Sequence, residues 1–327
     1  MSPAVTIPQC MPYHLGPRRY VNRGGCMARV SEDARNCVVF LGYSATGVND
    51  PTAIEPIGTG FLVYAGEGGH RGIYLITAAH VARKLREDPF VIRLNDCTGM
   101  ARLDHLDRAV WHFHPENDVD IAVMRYEPPD WASAVTFPVS EFLDPKRAKH
   151  WEIGPGDPVY LVGLFYLHFG KHRNLPVVHA GQIALMPSEE KIPVGKGDGS
   201  ANTEEVEAYL VEIHALSAAS GSPVMIRPTL RHFVRDMESG GVSLALSEGR
   251  DYLLGVWTAA WPGNPDKILG DATGRRSTAL VPVGMGLVIS ADKIIEVLSR
   301  GDLIEERRQS MALDAKPHAA SNTDIQG

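Results

Sequence analysis

An all-β protein made of two antiparallel units lying side by side is what the sequence predicts, and three observations predict it. Short β-branched and aromatic runs recur along the chain, punctuated by Gly, Pro, Asn or Asp. They fall into two series of about six, with little helical text between them, which excludes a succession of βαβ units. An extended segment, "PPDWASAVTFPVSEFLDPKRAKHW" (128–151), parts the two series.

In chain order, residues 1–35 are rich in Pro, Arg and Gly with no sustained period, and are expected to form an irregular arm. The first unit and its linker span 36–150, with strands expected in "NCVVFLGY" (36–43), "GTGFLVYA" (58–65), "GIYLITAA" (72–79), "PFVIRL" (89–94) and "DIAVMRYE" (120–127). The second unit spans 151–306. Its strands are expected in "DPVYLVGLF" (157–165), "VVHAGQIALM" (177–186), "EAYLVEIHAL" (207–216), "SPVMIRP" (222–228), "DYLLGVWTA" (251–259) and "VGMGLVIS" (283–290). Polar, Gly-rich stretches at 187–206, 229–250 and 261–279 read as inserted surface loops. "SADKIIEVLSR" (290–300) offers a Ser N-cap and apolar residues at helical spacing, so a C-terminal helix is expected there. The tail, 307–327, is expected to be disordered.

Composition narrows the function. With 327 residues, 44% hydrophobic and 22% charged, the chain can bury a sizeable core. A net charge of −7 and the lack of clustered Lys and Arg argue against a nucleic-acid face. No stretch is long and apolar enough for a membrane span, and "MSPAVTIPQCMPYHLGPRRY" carries no signal-peptide pattern, so a cytoplasmic protein is expected. The four cysteines (Cys10, Cys26, Cys37, Cys97) have no metal-site spacing, and reduced thiols are expected over a Cys37–Cys97 bridge. "WHFHP" (111–115) would place His112 and His114 on one strand face, but spacing nominates no third ligand, so neither a metal nor a cofactor is expected. "GKGDGS" (195–200) lacks the strand-loop-helix context of a phosphate cradle, and "GYSAT" (42–46) lacks the closing Gly of a nucleophile elbow.

Three fragments carry chemistry. "LITAAHV" puts His80 at the end of an apolar strand, behind the small residues Thr77, Ala78 and Ala79. "NDVDIAVM" puts Asp120 at the mouth of another, nearer the apolar run than Asp118. "SAASGSPVMI" puts Ser220 in a tight turn before a third. Singly each has a plain structural explanation. Together they supply what nucleophilic catalysis needs: a hydroxyl, an imidazole to take its proton, and a carboxylate to fix the imidazole's tautomer.

The order His80, Asp120, Ser220, with "GTGF" and "LITAAHV" around the first, "DIAVM" at the second and "SGSPV" at the third, resembles the chymotrypsin/trypsin-like serine peptidases. It is most similar to the bacterial stress-protease type and short intracellular relatives. The resemblance covers fragments between 36 and 298. It implies two six-stranded antiparallel β-barrels with the site in the cleft between them, peptide-bond hydrolysis through an acyl-enzyme, and an oxyanion hole from the backbone N–H groups of Ala218 and Ser220. It also implies a primary pocket near His214 and Ala215, edged by Thr258, Ala259 and Ala260, whose backbone would pair with an extended protein or peptide substrate. A compact, mostly apolar pocket suits small or medium apolar side chains.

Two positions depart from the pattern. Ala218 stands where the family has Gly, and a Cβ there costs ~1 kcal/mol or more if the hole needs an unusual backbone. Ala219 stands where secreted members carry the Asp that pairs with a new N-terminus, so activation by such a cleavage is not expected, and a regulatory protein partner becomes one candidate trigger. The alternatives are a pseudoprotease that holds a peptide in the cleft without cutting it, and an esterase on the same fold.

Overall fold

The computed structural model describes residues 30–44, 50–67, 70–86, 88–187, 189–195, 203–215, 219–228, 231–235, 242–246, 250–263 and 281–314. It is mostly β. The first unit holds β1 (Val38–Ser44), β2 (Ile54–Glu67), β3 (His70–Thr77), β4 (Phe90–Asn95), β5 (Ala101–Leu106), β6 (Trp111–Phe113), β7 (Ala122–Arg125) and β8 (Phe137–Pro138), with helices α1 (Glu32–Asn36) and α2 (Ala79–Leu85). They form one eight-stranded sheet in the order β5-β4-β1-β2-β3-β7-β6, with β8 parallel to β2.

The second unit holds α3 (Pro145–His150), β9 (Pro158–Gly163), β10 (Val177–Leu185), β13 (Tyr209–Glu212), β14 (Pro223–Ile226), β17 (Tyr252–Gly263) and β18 (Val281–Ser290). Those six strands close into a barrel in the order β10-β13-β18-β17-β14-β9. Two hairpins stand outside it, β11 (Ile192–Gly195) with β12 (Thr203–Val206), and β15 (Arg231–Arg235) with β16 (Val242–Leu246). The expected insertions at 187–206 and 229–250 therefore carry strands, while most of 261–279 lies outside the described residues.

Of the two six-stranded barrels expected, the second unit shows one that closes; in the first unit the sheet has eight strands, and no pairing joins its end strands β5 and β6 among the described residues. β6 has only three residues, and the guanidinium of Arg300 takes the carbonyl of Phe113 (3.3 Å). Between the edges runs a groove lined by Asp104, Arg108, Val110, His112 and Tyr126, in which the Tyr126 hydroxyl donates to Asp104 (2.7 Å).

β1 shows why its strand text is continuously apolar. Val39 and Leu41 point into one core with Leu62, Leu75, Phe90 and Ile92, whereas Val38 and Phe40 point into another with Phe61, Tyr74 and Ile76. That second core continues through Val162, Leu164, Met225 and Val256 of the second unit, so both faces of the strand are dry. Burial pushes the Cys37 thiol up to about 12; Cys97 is exposed, and no disulfide joins the two.

The chain ends in two helices, α4 (Ala291–Leu298) and α5 (Gly301–Asp314). The first is the expected one, and Ala291, Ile294, Val297 and Leu298 anchor it in the core shared with Val256 and Ile289. The second was not expected: Leu303 is buried in it and Arg307, at the start of the tail expected to be disordered, stacks on Tyr74 and donates to its hydroxyl (3.0 Å), while 315–327 lie outside the described residues. Likewise α1 lies inside the expected irregular arm, capped by Ser31, whose Oγ accepts from Ala34 (3.1 Å). Among the described residues no helix is long and apolar enough to cross a membrane.

Candidate active site

His80 was expected at a strand end; it is the second residue of α2, which starts directly after β3. The helix has Ala78 at its N-cap position, and alanine offers no side-chain acceptor. Asp120 supplies one from across the sheet. Its Oδ1 accepts the backbone N–H of His80 (2.8 Å), and its Oδ2 lies 2.6 Å from the ring's Nδ1. A carboxylate facing Nδ1 places the ring proton there, so Nε2 keeps its lone pair. Both side chains are part-buried, His80 with 38% and Asp120 with 28% of its side chain exposed, which leaves the ring open to a ligand on one side. The negative carboxylate also sits favourably at the positive end of the helix.

Ser220 occupies a turn that is stitched to both units. Its carbonyl accepts from Thr59 N of β2 (2.9 Å), Gly221 N donates to Trp257 O of β17 (2.8 Å), and Trp257 N donates back to Ser222 O (2.9 Å). Gly221 has φ +86°, and a Cβ built on it would fall 2.0 Å from Thr59 O and 2.2 Å from Thr77 Oγ1. Only glycine fits that conformation and that gap. Gly58 plays the matching part on β2, where a Cβ would sit 2.9 Å from Val81 of α2 and 3.1 Å from Ser220 O.

Thr59 and Thr77 were missed as site-building residues. Thr59 is fully buried; its N–H holds Ser220 O, its carbonyl accepts from Thr77 Oγ1 (2.7 Å), and its own Oγ1 accepts from Leu164 N (3.1 Å) just past β9. One residue thus ties β2, β3, the Ser220 turn and β9 together. The signal that could have pointed to it is the small-residue run "GTG", which marks a place where backbones approach closely.

The hydroxyl of Ser220 donates to the carbonyl of Thr258 (3.1 Å), and no hydrogen bond joins it to His80. Thr258 falls at a register shift where β17 pairs with β18, between Trp257↔Val288 and Ala259↔Leu287. It is buried, while Ala259 and Ala260 after it are part-exposed. His214 is exposed, with its ring over Gly284, where a Cβ would fall 2.5 Å from Cε1; Ala215 beside it is buried. Ala218 lies outside the described residues, as do its neighbours 216 and 217. Among the described residues no group of three or more His, Cys, Asp or Glu side chains is placed to hold a metal ion. His112 and His114 face carboxylates instead, Asp302 at 3.6 Å and Glu296 at 2.9 Å.

No protein-family model matches the chain, and no curated protein matches it in sequence. Among solved structures, the active form of the Rv3671c protease from M. tuberculosis aligns over 82% of this chain and 82% of its own, with 16% identity and a TM-score of 0.41. The inactive form of the same protease aligns over 82% of this chain and 90% of its own, with 16% identity and a TM-score of 0.40.

Proposed function

We propose that the protein is a serine endopeptidase in which Ser220 attacks, His80 moves the proton and Asp120 holds the imidazole. The observation that carries the reading is the double grip of Asp120 on His80, through Nδ1 and through the backbone N–H. It leaves Nε2 as the acceptor of a ring that follows β3, and the Ser220 turn is tied to the neighbouring β2 through Thr59 N (2.9 Å).

In the first step the Oγ–H bond of Ser220 breaks, its proton passes to Nε2, and Oγ bonds the substrate carbonyl carbon. The carbonyl electrons move onto oxygen, and the N–H groups of Ser220 and Ala218 are assigned to receive that charge. Each such donor is worth ~10²–10³ in rate. Collapse re-forms the carbonyl and breaks the C–N bond, while Nε2–H gives its proton to the leaving amine. Water then repeats the sequence on the acyl-enzyme. No cofactor is called for. The substrate is assigned to β17, paired with the backbone of Thr258, Ala259 and Ala260, with its side chain toward His214 and Ala215; small or medium apolar residues are the expected preference, and a peptide library cleaved after Lys or Arg would overturn it.

A second reading has its own support. The Ser220 hydroxyl bonds Thr258 O rather than His80, which suits a peptide-binding protein that does not cut. A fluorophosphonate probe separates the two: covalent modification of Ser220 that disappears in His80→Ala supports the peptidase, and an unmodified wild-type chain supports the binding protein. Turnover of esters with no cleavage of any peptide library would mark an esterase.

A further inference from the structure

We propose that His114 and Glu296 are positioning residues for Asp120, through which the C-terminal helices hold the aspartate against His80. The proposal rests on the triad reading above. It begins with how poorly the local sheet fixes Asp120. The residue sits in the connection of the β6–β7 hairpin, residues 114–121, and β6 is a three-residue edge strand with β7 as its one sheet partner. A single bond, His114 N to Ile121 O at 3.3 Å, closes the neck of that connection.

Val119 and Ile121 on either side of Asp120 are buried, with Val119 N bonded to Glu116 O (3.2 Å) and Ile121 N to Val119 O (2.9 Å), and a further hold comes from 182 positions along the chain. The His114 side chain is completely buried, and its Nδ1 accepts from Glu116 N (3.2 Å), so the proton is on Nε2 and is donated to Glu296 of α4 (2.9 Å). The two ring nitrogens are both satisfied only while Glu296 is in place. Glu296 is held in turn by Lys293 (3.1 Å), which also approaches Glu116 (3.7 Å). On either side, Arg300 donates to Phe113 O (3.3 Å) and Asp302 faces His112 (3.6 Å). The C-terminal helices therefore engage residues 112, 113, 114 and 116, and α4 is itself bedded in the core that continues into the barrel. The carboxylate of Asp120 follows four positions after Glu116 at the end of a connection pinned in this way.

Removing the acceptor strands a buried N–H, which the connection relieves by shifting. A displacement of ~1 Å in a catalytic group costs up to ~10²-fold in rate. Glu296→Ala is therefore expected to slow fluorophosphonate labelling of Ser220 by ~10–100-fold. It is also expected to weaken or broaden the low-field proton resonance of His80 Nδ1–H, identified by its absence in Asp120→Ala. Glu296→Gln keeps an oxygen for His114 Nε2–H and should retain both signals, with circular dichroism alike in all three chains. Arg300→Ala, which empties no buried site, should slow labelling in the same direction by ~3–10-fold. An unchanged resonance and labelling rate in Glu296→Ala, or equal impairment in the Ala and Gln variants, would overturn the positioning role. Wild-type protein that shows the resonance but takes no label would instead remove the peptidase reading, and the resonance alone would then decide whether Glu296 positions Asp120.

Discussion

Asp120→Asn separates the two jobs of that carboxylate. In the wild type one oxygen caps α2 at His80 N (2.8 Å) and the other takes the Nδ1 proton (2.6 Å). An amide can do only one of these. With its oxygen on the backbone N–H, its NH₂ faces Nδ1, which must then accept, so the ring proton moves to Nε2 and the base is lost. With the amide reversed, its NH₂ faces the backbone N–H, and two donors oppose each other at the helix start, at ~1–3 kcal/mol for the stranded group. The capped arrangement is thus the more stable and the less active. The expected loss is ~10⁴ in labelling or peptide turnover, equivalent to ~5.5 kcal/mol of barrier. Stability should fall by no more than ~1 kcal/mol, because the cap survives. Asp120→Ala should lose both, the cap contributing its ~1 kcal/mol. The assays are the pseudo-first-order rate of fluorophosphonate labelling and the urea midpoint of each chain. An Asn variant that labels within tenfold of wild type would refute the tautomer argument.

Gly221→Ala should reduce labelling by at least ~10²-fold, since its Cβ would have to displace Thr59 O or Thr77 Oγ1 and move the Ser220 turn with them; wild-type labelling would show that the turn has room to spare. Arg93 is completely buried, donating to Pro51 O (2.8 Å) and Gly170 O (2.6 Å), with burial pushing its pKa down to about 10. Arg93→Met should therefore cost about 3–5 kcal/mol in urea denaturation, because the buried oxygens of Gly170 and Asn174 and the part-buried carbonyl of Pro51 lose their donor. In the native chain Cys97 should react with iodoacetamide and Cys37 should not until denaturant is added, as read by peptide mass mapping. The Cys37 thiol is raised from 9.0 to about 12 in the folded state, so the unfolded chain releases that proton first. Its contribution to stability is whole below pH 9.0 and is lost as pH rises toward 12, so the advantage of wild type over Cys37→Ala in denaturation midpoint should narrow above pH 9.0.

Most strands were legible because their text is β-branched and, as in β14 and the middle of β17, buried, while half-exposed β10 reads through its Val-rich start and its bounding turns; β9, β10, β14, β17 and β18 fall within two residues of expectation at most of their ends. What escaped was decided by distant partners. α2 is hidden in "LITAAHV", a run that reads as one apolar strand, because its cap comes from Asp120, 40 positions away, and not from a local Ser or Asp. β5 and β6 are short or polar edge segments, so their periodicity is weak. His114 stands in a His-x-His pair for which spacing nominates no third ligand, and its buried ring meets a glutamate at the far end of the chain, a partner that no local pattern could name. The order of His80, Asp120 and Ser220 was readable in the sequence; the backbone frame around them, centred on Thr59, was not, since a buried threonine between two glycines leaves no periodic mark.

The peptidase reading asks the Ser220 hydroxyl to leave Thr258 O for His80 Nε2, and the binding-protein reading leaves it where it is. The Ser220 backbone is fixed by Thr59 N on one side and by Trp257 on the other, and the His80 ring is fixed by Asp120, so the movable part of the site is a hydroxyl. On the peptidase reading, turning Oγ away from Thr258 gives up one neutral hydrogen bond, a net ~1 kcal/mol, and a bond to Nε2 would return a similar amount. On that reading a substrate strand along β17 would present backbone N–H groups to the released carbonyl, so that binding and the freeing of the nucleophile favour each other at a single atom. On the peptidase reading substrate promotes the competent rotamer, so fluorophosphonate labelling that rises with a bound peptide would favour it over the binding protein, to which the Ser220–Thr258 bond is equally suited.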